Sequence, residues 1–321
     1  MPRLTSILGS LGLAALLVAP QVGAEDGGRW LERMAQAVKE QSYHGSYVYE
    51  RTGMFTTQEI WRQVDGSGSR ERLLQTAGRH QEWLRHDGQL ICTTSADLKR
   101  SRSPGRSTPP AIDSQRLAGL YKMKVYGETR IASRPVTVVA VQPLDGFRYA
   151  HELYIDNETG LMLKSLLVDD KRELLERFQF ASISFNESDY QSGLEPSSSC
   201  LEVTITDIPD EPDTSFLKPA WLPPGFSLSH RDVQSMLDSE ERITSQVYSD
   251  GLASFTLFIE PLGGDSPAED LRAQLGPTVA VSRRMMTADN HFLATVVGEV
   301  PARTAERIAD SLSQSMAEVD Q

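Results

Sequence analysis

Trp221-Leu-Pro-Pro-Gly-Phe226 and Asp250-Gly-Leu-Ala-Ser-Phe-Thr-Leu-Phe-Ile-Glu-Pro261 decide how this chain divides. In the first block two prolines fix φ and the glycine after them frees it, so the segment reads as the rigid entry to a new domain. The second is a turn followed by a strand. Leu252, Phe255, Leu257 and Ile259 are largely alternating apolar positions, Phe258 points to burial on both faces, and Pro261 is expected to stop the ladder. Neither block carries catalytic chemistry.

Upstream, Asp207-Ile-Pro-Asp-Glu-Pro-Asp213 is acidic and proline-rich and marks a boundary. The expected division is a leader over 1–24, a large domain over 25–203, a linker over 204–217 and a small domain over 218–318. In the small domain strands are expected at 226–233, 242–249 and 253–260, a short helix near 267–274, strands at 278–286 and 292–299, and a final helix from Thr304 carrying Ile308, Leu312 and Met316. That pattern is α+β, a small antiparallel sheet packed by a helix.

The large domain opens with a helix over 26–41, with Trp30, Met34 and Val38 as its apolar stripe. Period-two segments follow at 45–50, 55–64, 70–75, 81–85 and 89–94, an antiparallel meander. A short helix is expected at 113–121, and strands resume at 127–131, 135–142, 148–156, 161–169 and 173–184. Tyr154-Ile-Asp-Asn-Glu-Thr-Gly-Leu-Met-Leu-Lys-Ser165 reads as one hairpin, its D-x-x-T-G turn feeding an apolar strand.

The whole chain has 321 residues and a formal charge of -12. An acidic surplus disfavours binding to a phosphate backbone, so nucleic acid is excluded as a partner. The first residues, Met-Pro-Arg3, then a mostly apolar run to Ala19 and Val22-Gly-Ala24, have the pattern of a secretory signal peptide. The mature chain is expected to be a soluble exported protein. Cys92 and Cys200 are the two cysteines. In an oxidising compartment they are a candidate disulfide, and closing a loop of about 110 residues would restrict the unfolded chain by roughly 4 to 5 kcal/mol. Two buried thiols are the alternative.

Motifs for catalysis are missing from the sequence. The six histidines form no HExxH or other ligand pair, and two cysteines alone supply no zinc site. There is no G-x-S-x-G elbow, P-loop or G-x-G-x-x-G. The reading is a binding protein without catalytic, cofactor-binding or metal-ligating residues.

With Gly276-Pro-Thr-Val-Ala-Val-Ser-Arg-Arg284 and Val296-Val-Gly-Glu-Val-Pro301, the two opening blocks resemble the C-terminal domain of the RseB/MucB family, periplasmic negative regulators of an envelope-stress sigma factor. Tyr43-His-Gly-Ser-Tyr-Val-Tyr-Glu-Arg51, Arg70-Glu-Arg-Leu-Leu-Gln75 and Leu174-Leu-Glu-Arg-Phe-Gln-Phe180 extend the resemblance over the large domain. The fold it implies there is LolA/LolB-like, a curved antiparallel sheet or half-open β-barrel with covering helices. The implied partner is the periplasmic domain of a transmembrane anti-sigma factor (RseA/MucA-like), shielded from site-1 proteolysis. Release by a lipid or lipopolysaccharide fragment, and alginate control in the MucB branch, are further implications of the resemblance. Self-association as a homo-oligomer stays open.

A half-open barrel can leave an apolar hollow suited to acyl chains. Tyr47, Tyr49, Trp61, Leu73 and Trp83 are candidate wall residues, with ordinary core as the alternative. Arg100, Arg102 and Arg106, in the basic segment Lys99–Pro110, are candidates for a phosphorylated head group, with a solvated loop as the alternative. Arg283 and Arg284 are candidate partner contacts that could equally be a solvated strand end. Trp221 and Phe226 are read as positioning the two domains or touching the partner. The rival to a regulator is a periplasmic lipid or lipoprotein carrier, which would not require the domain after Trp221.

Overall fold

Two antiparallel sheets organise the computed structural model, which describes residues 24–95, 112–203, 218–235, 242–262, 270–286 and 291–319. The leader's residues 1–23, the basic segment with Arg100, Arg102 and Arg106, and the acidic linker lie outside the described residues.

Helix α1 (Ala24–Glu40) leads into β1 (Tyr43–Arg51), β2 (Met54–Asp65), β3 (Gly68–Gln75), β4 (Gln81–His86) and β5 (Gln89–Thr93). After α2 (Ser114–Ala118) comes a second run, β6 (Tyr121–Ile131), β7 (Arg134–Pro143), β8 (Ala150–Asp156), β9 (Met162–Val168) and β10 (Leu174–Ser184), then α3 (Glu187–Gln191) and β11 (Leu201–Glu202). Pairing of β1 with β10 joins the two meanders into an 11-stranded sheet, ordered β11-β5-β4-β3-β2-β1-β10-β9-β8-β7-β6. The sheet does not close, yet it curls enough for edge strand β6 to approach β10.

Helix α1 lies across one face of the curl. Leu31, Met34 and Ala37 are its buried positions, one step round from the expected Trp30, Met34 and Val38, because the helix presents that side to Met123, Val139 and Leu163. Only part of the face is covered. Where α1 ends, Arg62 donates to the Val38 carbonyl at 2.8 Å and ties β2 to the helix.

The D-x-x-T-G turn joins β8 to β9. Asp156 accepts from the Thr159 backbone N–H at 2.9 Å and its hydroxyl at 2.8 Å, and Gly160 takes φ +79°, a left-handed value that glycine adopts without a Cβ clash. A Cβ there would meet Arg33 of α1 at 2.8 Å, so the same glycine lets helix and hairpin approach.

The returning segment after α3 is pinned to the outer side of the first meander. Cys92 on β5 and Cys200 are joined by a disulfide with Cα atoms 5.5 Å apart, and β11 adds to β5 beside it. Nearby, the fully buried Glu82 accepts from Arg72 Nε at 2.7 Å, from the Ser197 N–H at 2.9 Å and from the Ser197 hydroxyl. Burial opposes the charge of Glu82, but these hydrogen bonds outweigh it and hold the carboxyl below its usual range.

The second sheet contains β12 (Ser227–Ser235), β13 (Arg242–Ser249), β14 (Ser254–Leu262), β15 (Leu271–Leu275), β16 (Thr278–Met286) and β17 (His291–Gly298), ordered β12-β13-β14-β17-β16-β15. Helix α4 (Ala302–Val319) packs on β16 and β17. Phe255, Leu257, Ile259, Val279, Val281 and Val296 bury against Ile308 and Leu312 of the helix.

Three expectations are corrected. Residues 271–275 form strand β15 rather than the end of a helix, because Gly276-Pro277 makes a two-residue turn that folds them onto β16. Tyr121 starts β6 rather than ending a helix. Pro261 does not stop β14: pairing with β13 runs to Ile259, while pairing with β17 continues through Pro261 opposite Phe292. A proline is tolerated on the side where a neighbour's ladder has ended.

Replacing both cysteines by serine should lower unfolding stability by about 2 to 5 kcal/mol, read as a shift in the urea midpoint of the mature chain. An unchanged midpoint would contradict a structural role for the bridge. Glu82, with its pKa depressed in the fold, contributes stability above the ordinary carboxylate range that is lost as pH falls through its folded value. Glu82→Gln should therefore flatten the acid limb of a stability–pH curve, and a limb as steep as the parent's would refute that assignment.

Candidate functional site

Directly opposed residues in an antiparallel pair share a face, and the β1–β2, β2–β3 and β3–β4 registers run without a shift. Gly45 opposes Ile60, which opposes Leu73, which opposes Trp83. Tyr47 and Tyr49 alternate with Gly45 onto the same face, and Tyr47 lies opposite Phe180 across β10. This is the face α1 partly covers, since Ala37 packs in one cluster with Tyr43, Ile60 and Phe180. Four of the five candidate wall residues thus share this face, all half-buried, and the Tyr47 ring meets Phe178 at 4.8 Å.

Trp61 does not join them. It opposes His44, so the alternation sends it to the other face, where it is 8% exposed and stacked on His44 at 5.1 Å. Arg72 lies 4.9 Å over its ring and Gly193 seals it, a Cβ at that glycine falling 2.0 Å from the indole nitrogen. Trp61 is a core residue under the returning segment.

The apolar face leads to the second domain. The Tyr49 hydroxyl donates to Glu176, and Arg51, two residues on, donates to Thr278 of the small sheet and lies 4.0 Å from Glu299. Burial raises the Tyr49 hydroxyl first, with the Glu176 hydrogen bond adding to it, so it stays protonated. Burial also raises Glu299, and Arg51 offsets this in part.

A second contact fixes the seam between the sheets. Arg148, between β7 and β8, and Asp250, in the β13–β14 turn, form an ion pair in which both side chains are fully buried. Arg148 also donates to Asp145 at 3.0 Å and to the Pro224 carbonyl at 2.6 Å, and it lies 5.1 Å over the Phe226 ring. Tyr121 donates its hydroxyl to Asp250 at 2.8 Å. The other Asp250 oxygen caps its own turn, accepting from the N–H groups of Leu252 and Ala253 at 2.8 Å. Burial lowers His151 to about 4, and the Asp250 carboxylate opposes that only in part, so the ring is neutral at neutral pH.

The Pro-Pro-Gly turn lies in this seam. Gly225 takes φ +84°, its carbonyl accepts from Arg116, and a Cβ there would fall 2.3 Å from Leu120. Trp221 packs edge-on against Phe147 of the large domain at 5.2 Å, with Arg307 of α4 stacked 3.9 Å over it. Phe226 is 7% exposed in the small-domain core against Phe255. Both aromatics serve packing here, and Phe226 has almost no surface to offer a partner. Leu252 sits in the turn just before the expected strand and packs against the large-domain core. Arg283 is held by Asp310 at 2.8 Å, whereas Arg284 is exposed.

Sequence reasoning missed Arg148, Asp250 and Tyr121 as a unit. No local pattern links Arg148 to Asp250, which are separated by 102 positions. No group of three or more metal-ligating side chains occurs among the described residues, and no described helix is long and apolar enough to cross a membrane. A polar cleft of about 510 Å³ near Gln41, Arg134, Glu158 and Phe185 adjoins the aromatic cluster, since Ile183 and Phe185 in its lining also pack against that cluster.

Two family models divide the chain as the sheets do: MucB/RseB N-terminal domain over residues 26–208 and MucB/RseB C-terminal domain over residues 211–313. The chain belongs to the MucB/RseB family. It is 42% identical over 312 residues to "Sigma factor AlgU regulatory protein MucB" of Pseudomonas aeruginosa, covering 97% of both chains. It is 31% identical to "Sigma-E factor regulatory protein RseB" of Salmonella typhimurium over 94% of this chain and 96% of that one. Among solved structures it is similar to the Pseudomonas aeruginosa MucA/MucB complex, with a TM-score of 0.76, 41% identity, and coverage of 88% of this chain and 97% of that chain. It is also similar to MucB on its own, with a TM-score of 0.67, 39% identity, and coverage of 89% and 97%. Named members of the MucB/RseB family are regulatory proteins and not enzymes.

Removing one partner of a buried ion pair leaves an uncompensated charge, so Arg148→Ala in this MucB/RseB chain should cost about 3 to 5 kcal/mol. Adding Asp250→Ala should recover part of that loss, giving a coupling energy of at least about 0.5 kcal/mol in a double-mutant cycle by urea unfolding. Strict additivity would show that the pair does not act as a unit.

Proposed function

We propose that this chain is an exported regulator that binds the periplasmic segment of a transmembrane anti-sigma factor and shields it from site-1 proteolysis, so that an envelope-stress sigma factor stays inhibited. One observation carries the reading: similarity runs through both domains to a MucB whose solved complex is with MucA. The leader-like start of the sequence supports export to the periplasm.

Release by lipid is the regulatory half of the proposal. Acyl chains gain from dispersion and exclusion of water, and a half-covered aromatic face offers both. Tyr49 and Arg51 connect that face to Thr278 and Glu299. A lipid that favours a different relation of the two domains must weaken the anti-sigma segment by the same free energy. A differential of ~3 kcal/mol would weaken binding a little over a hundredfold. Exposed Arg284 remains a candidate partner contact, and Arg100, Arg102 and Arg106 remain candidates for a phosphorylated head group.

A lipid or lipoprotein carrier is the lesser reading, because transfer alone gives no reason for a second domain locked on by a buried ion pair. The test is the site-1 cleavage rate of the cognate anti-sigma segment with and without residues 25–321. Slower cleavage that recovers on adding lipopolysaccharide fragments is expected. An unchanged rate with correctly folded protein would overturn the proposal in favour of the carrier.

A further inference from the structure

Three charged side chains stand one row beyond the apolar row of Ile60, Leu73 and Trp83. Arg62, Glu71 and Arg85 lie two residues from those positions on β2, β3 and β4, so alternation puts them on the same inner face, opposite one another in register. The row continues into Tyr43 on β1. A surface that met only acyl chains would have no use for charge.

Glu71 divides its carboxylate, one oxygen accepting from Arg62 Nη1 at 3.1 Å and the other from Arg85 Nη1 at 3.2 Å. Arg62 also donates Nη2 to the Val38 carbonyl of α1. Two guanidinium groups thus share one carboxylate, which leaves an excess of one positive charge. The Nε–H groups of both arginines are buried and meet no acceptor among the described residues. A buried donor without a partner is rare in a native fold and calls for a physical reason. Arg85 makes one hydrogen bond in all among the described residues, through Nη1. Its Nε–H and Nη2–H are therefore both unused, and together they form the two-pronged edge of the guanidinium that matches the two oxygens of a carboxylate. The Arg85 side chain is 27% exposed and that of Arg62 14%, so Arg85 is the more accessible of the two. The charges border the aromatic cluster directly: burial raises the Tyr47 hydroxyl, Glu71 adds to that and Arg85 opposes it.

We propose that Arg85, supported by Arg62, binds the carboxylate of a single-chain, fatty-acid-type amphiphile whose tail lies along Leu73, Trp83 and Tyr47 towards Phe178 and Tyr49. The inference rests on the reading of this face as an acyl site, and adds the charge and class of the head group. An excess of one positive charge suits a monoanion. A phosphate dianion would keep one charge uncompensated in a half-buried setting, and a neutral or cationic head would leave the donors unpaired. Along β1 the row of Tyr43 and the row of Arg51 are eight residues apart, about 26 Å. A long chain held by its head at the first row therefore extends towards the contact with the small domain.

The test is isothermal titration calorimetry of residues 25–321 with dodecanoate, dodecanol, dodecyltrimethylammonium and dodecyl phosphate, each below its critical micelle concentration. Dodecanoate should bind at least about tenfold tighter than dodecanol, the usual effect of a charge-assisted hydrogen bond. Arg85→Gln should abolish that preference with the affinity for dodecanol and the thermal melt unchanged. Arg70→Gln, whose alternation places it on the outer face, should leave the preference intact. Glu71→Gln removes the carboxylate that competes for the arginines, and should tighten dodecanoate. Equal affinity for dodecanoate and dodecanol, a preference for the phosphate or the ammonium, a preference that survives Arg85→Gln, or dodecanoate not tightened by Glu71→Gln would each overturn the proposal while the acyl site stands. No binding of any of the four would overturn both.

Discussion

An ion pair buried between Arg148 and Asp250 sets the relation of the two sheets, and much else follows from it. Two charges cannot leave water unless their remaining hydrogen-bonding capacity is met. Arg148 meets it with Asp145 and the Pro224 carbonyl, and Asp250 with Tyr121 and two N–H groups of its own turn. These partners come from β6, the loop before β8, the Pro-Pro-Gly turn and the β13–β14 turn. A sliding of one domain on the other would break several of these bonds at once. Such a contact adds little net stability compared with an apolar isostere, but it makes one arrangement far better than its neighbours.

The large sheet adds a second constraint. By curling without closing, it has more inner surface than α1 can cover, and Tyr47, Tyr49, Trp83 and Phe178 on β1, β4 and β10 are left half-buried. The uncovered region is continuous with Tyr49 and Arg51, hence with the small domain. Apolar surface and domain contact therefore lie side by side on β1, Tyr49 in the first and Arg51 in the second.

Most hairpins were legible in the sequence because alternation and turn residues are local. Asp156-Asn-Glu-Thr-Gly160 is a turn that Asp156 closes by accepting from Thr159 three residues on, and Pro223-Pro-Gly225 restricts φ wherever it occurs. Trp61 was misplaced because period two says that side chains alternate and not which face is which; only the register with β1 fixes that. Residues 271–275 lack an apolar alternation facing a core, so their strand character comes from the turn that follows. Arg148 and Asp250 carried no signal at all, since an ion pair between distant segments exists only once both domains are folded.

The disulfide and the seam lie toward opposite edges of the large sheet: Cys200 and β11 at one edge, Tyr121 on β6 at the other. The chain therefore leaves the large domain far from where the small domain docks. Undocking would not let the small domain diffuse away, because the backbone between Val203 and Lys218 still holds it. Redocking would be a first-order event at an effective concentration fixed by that tether. Any ligand that prised the seam open would compete with that local concentration and not with the amount of protein in the compartment, so the threshold of such a switch would be a property of one molecule, independent of how many copies the cell makes.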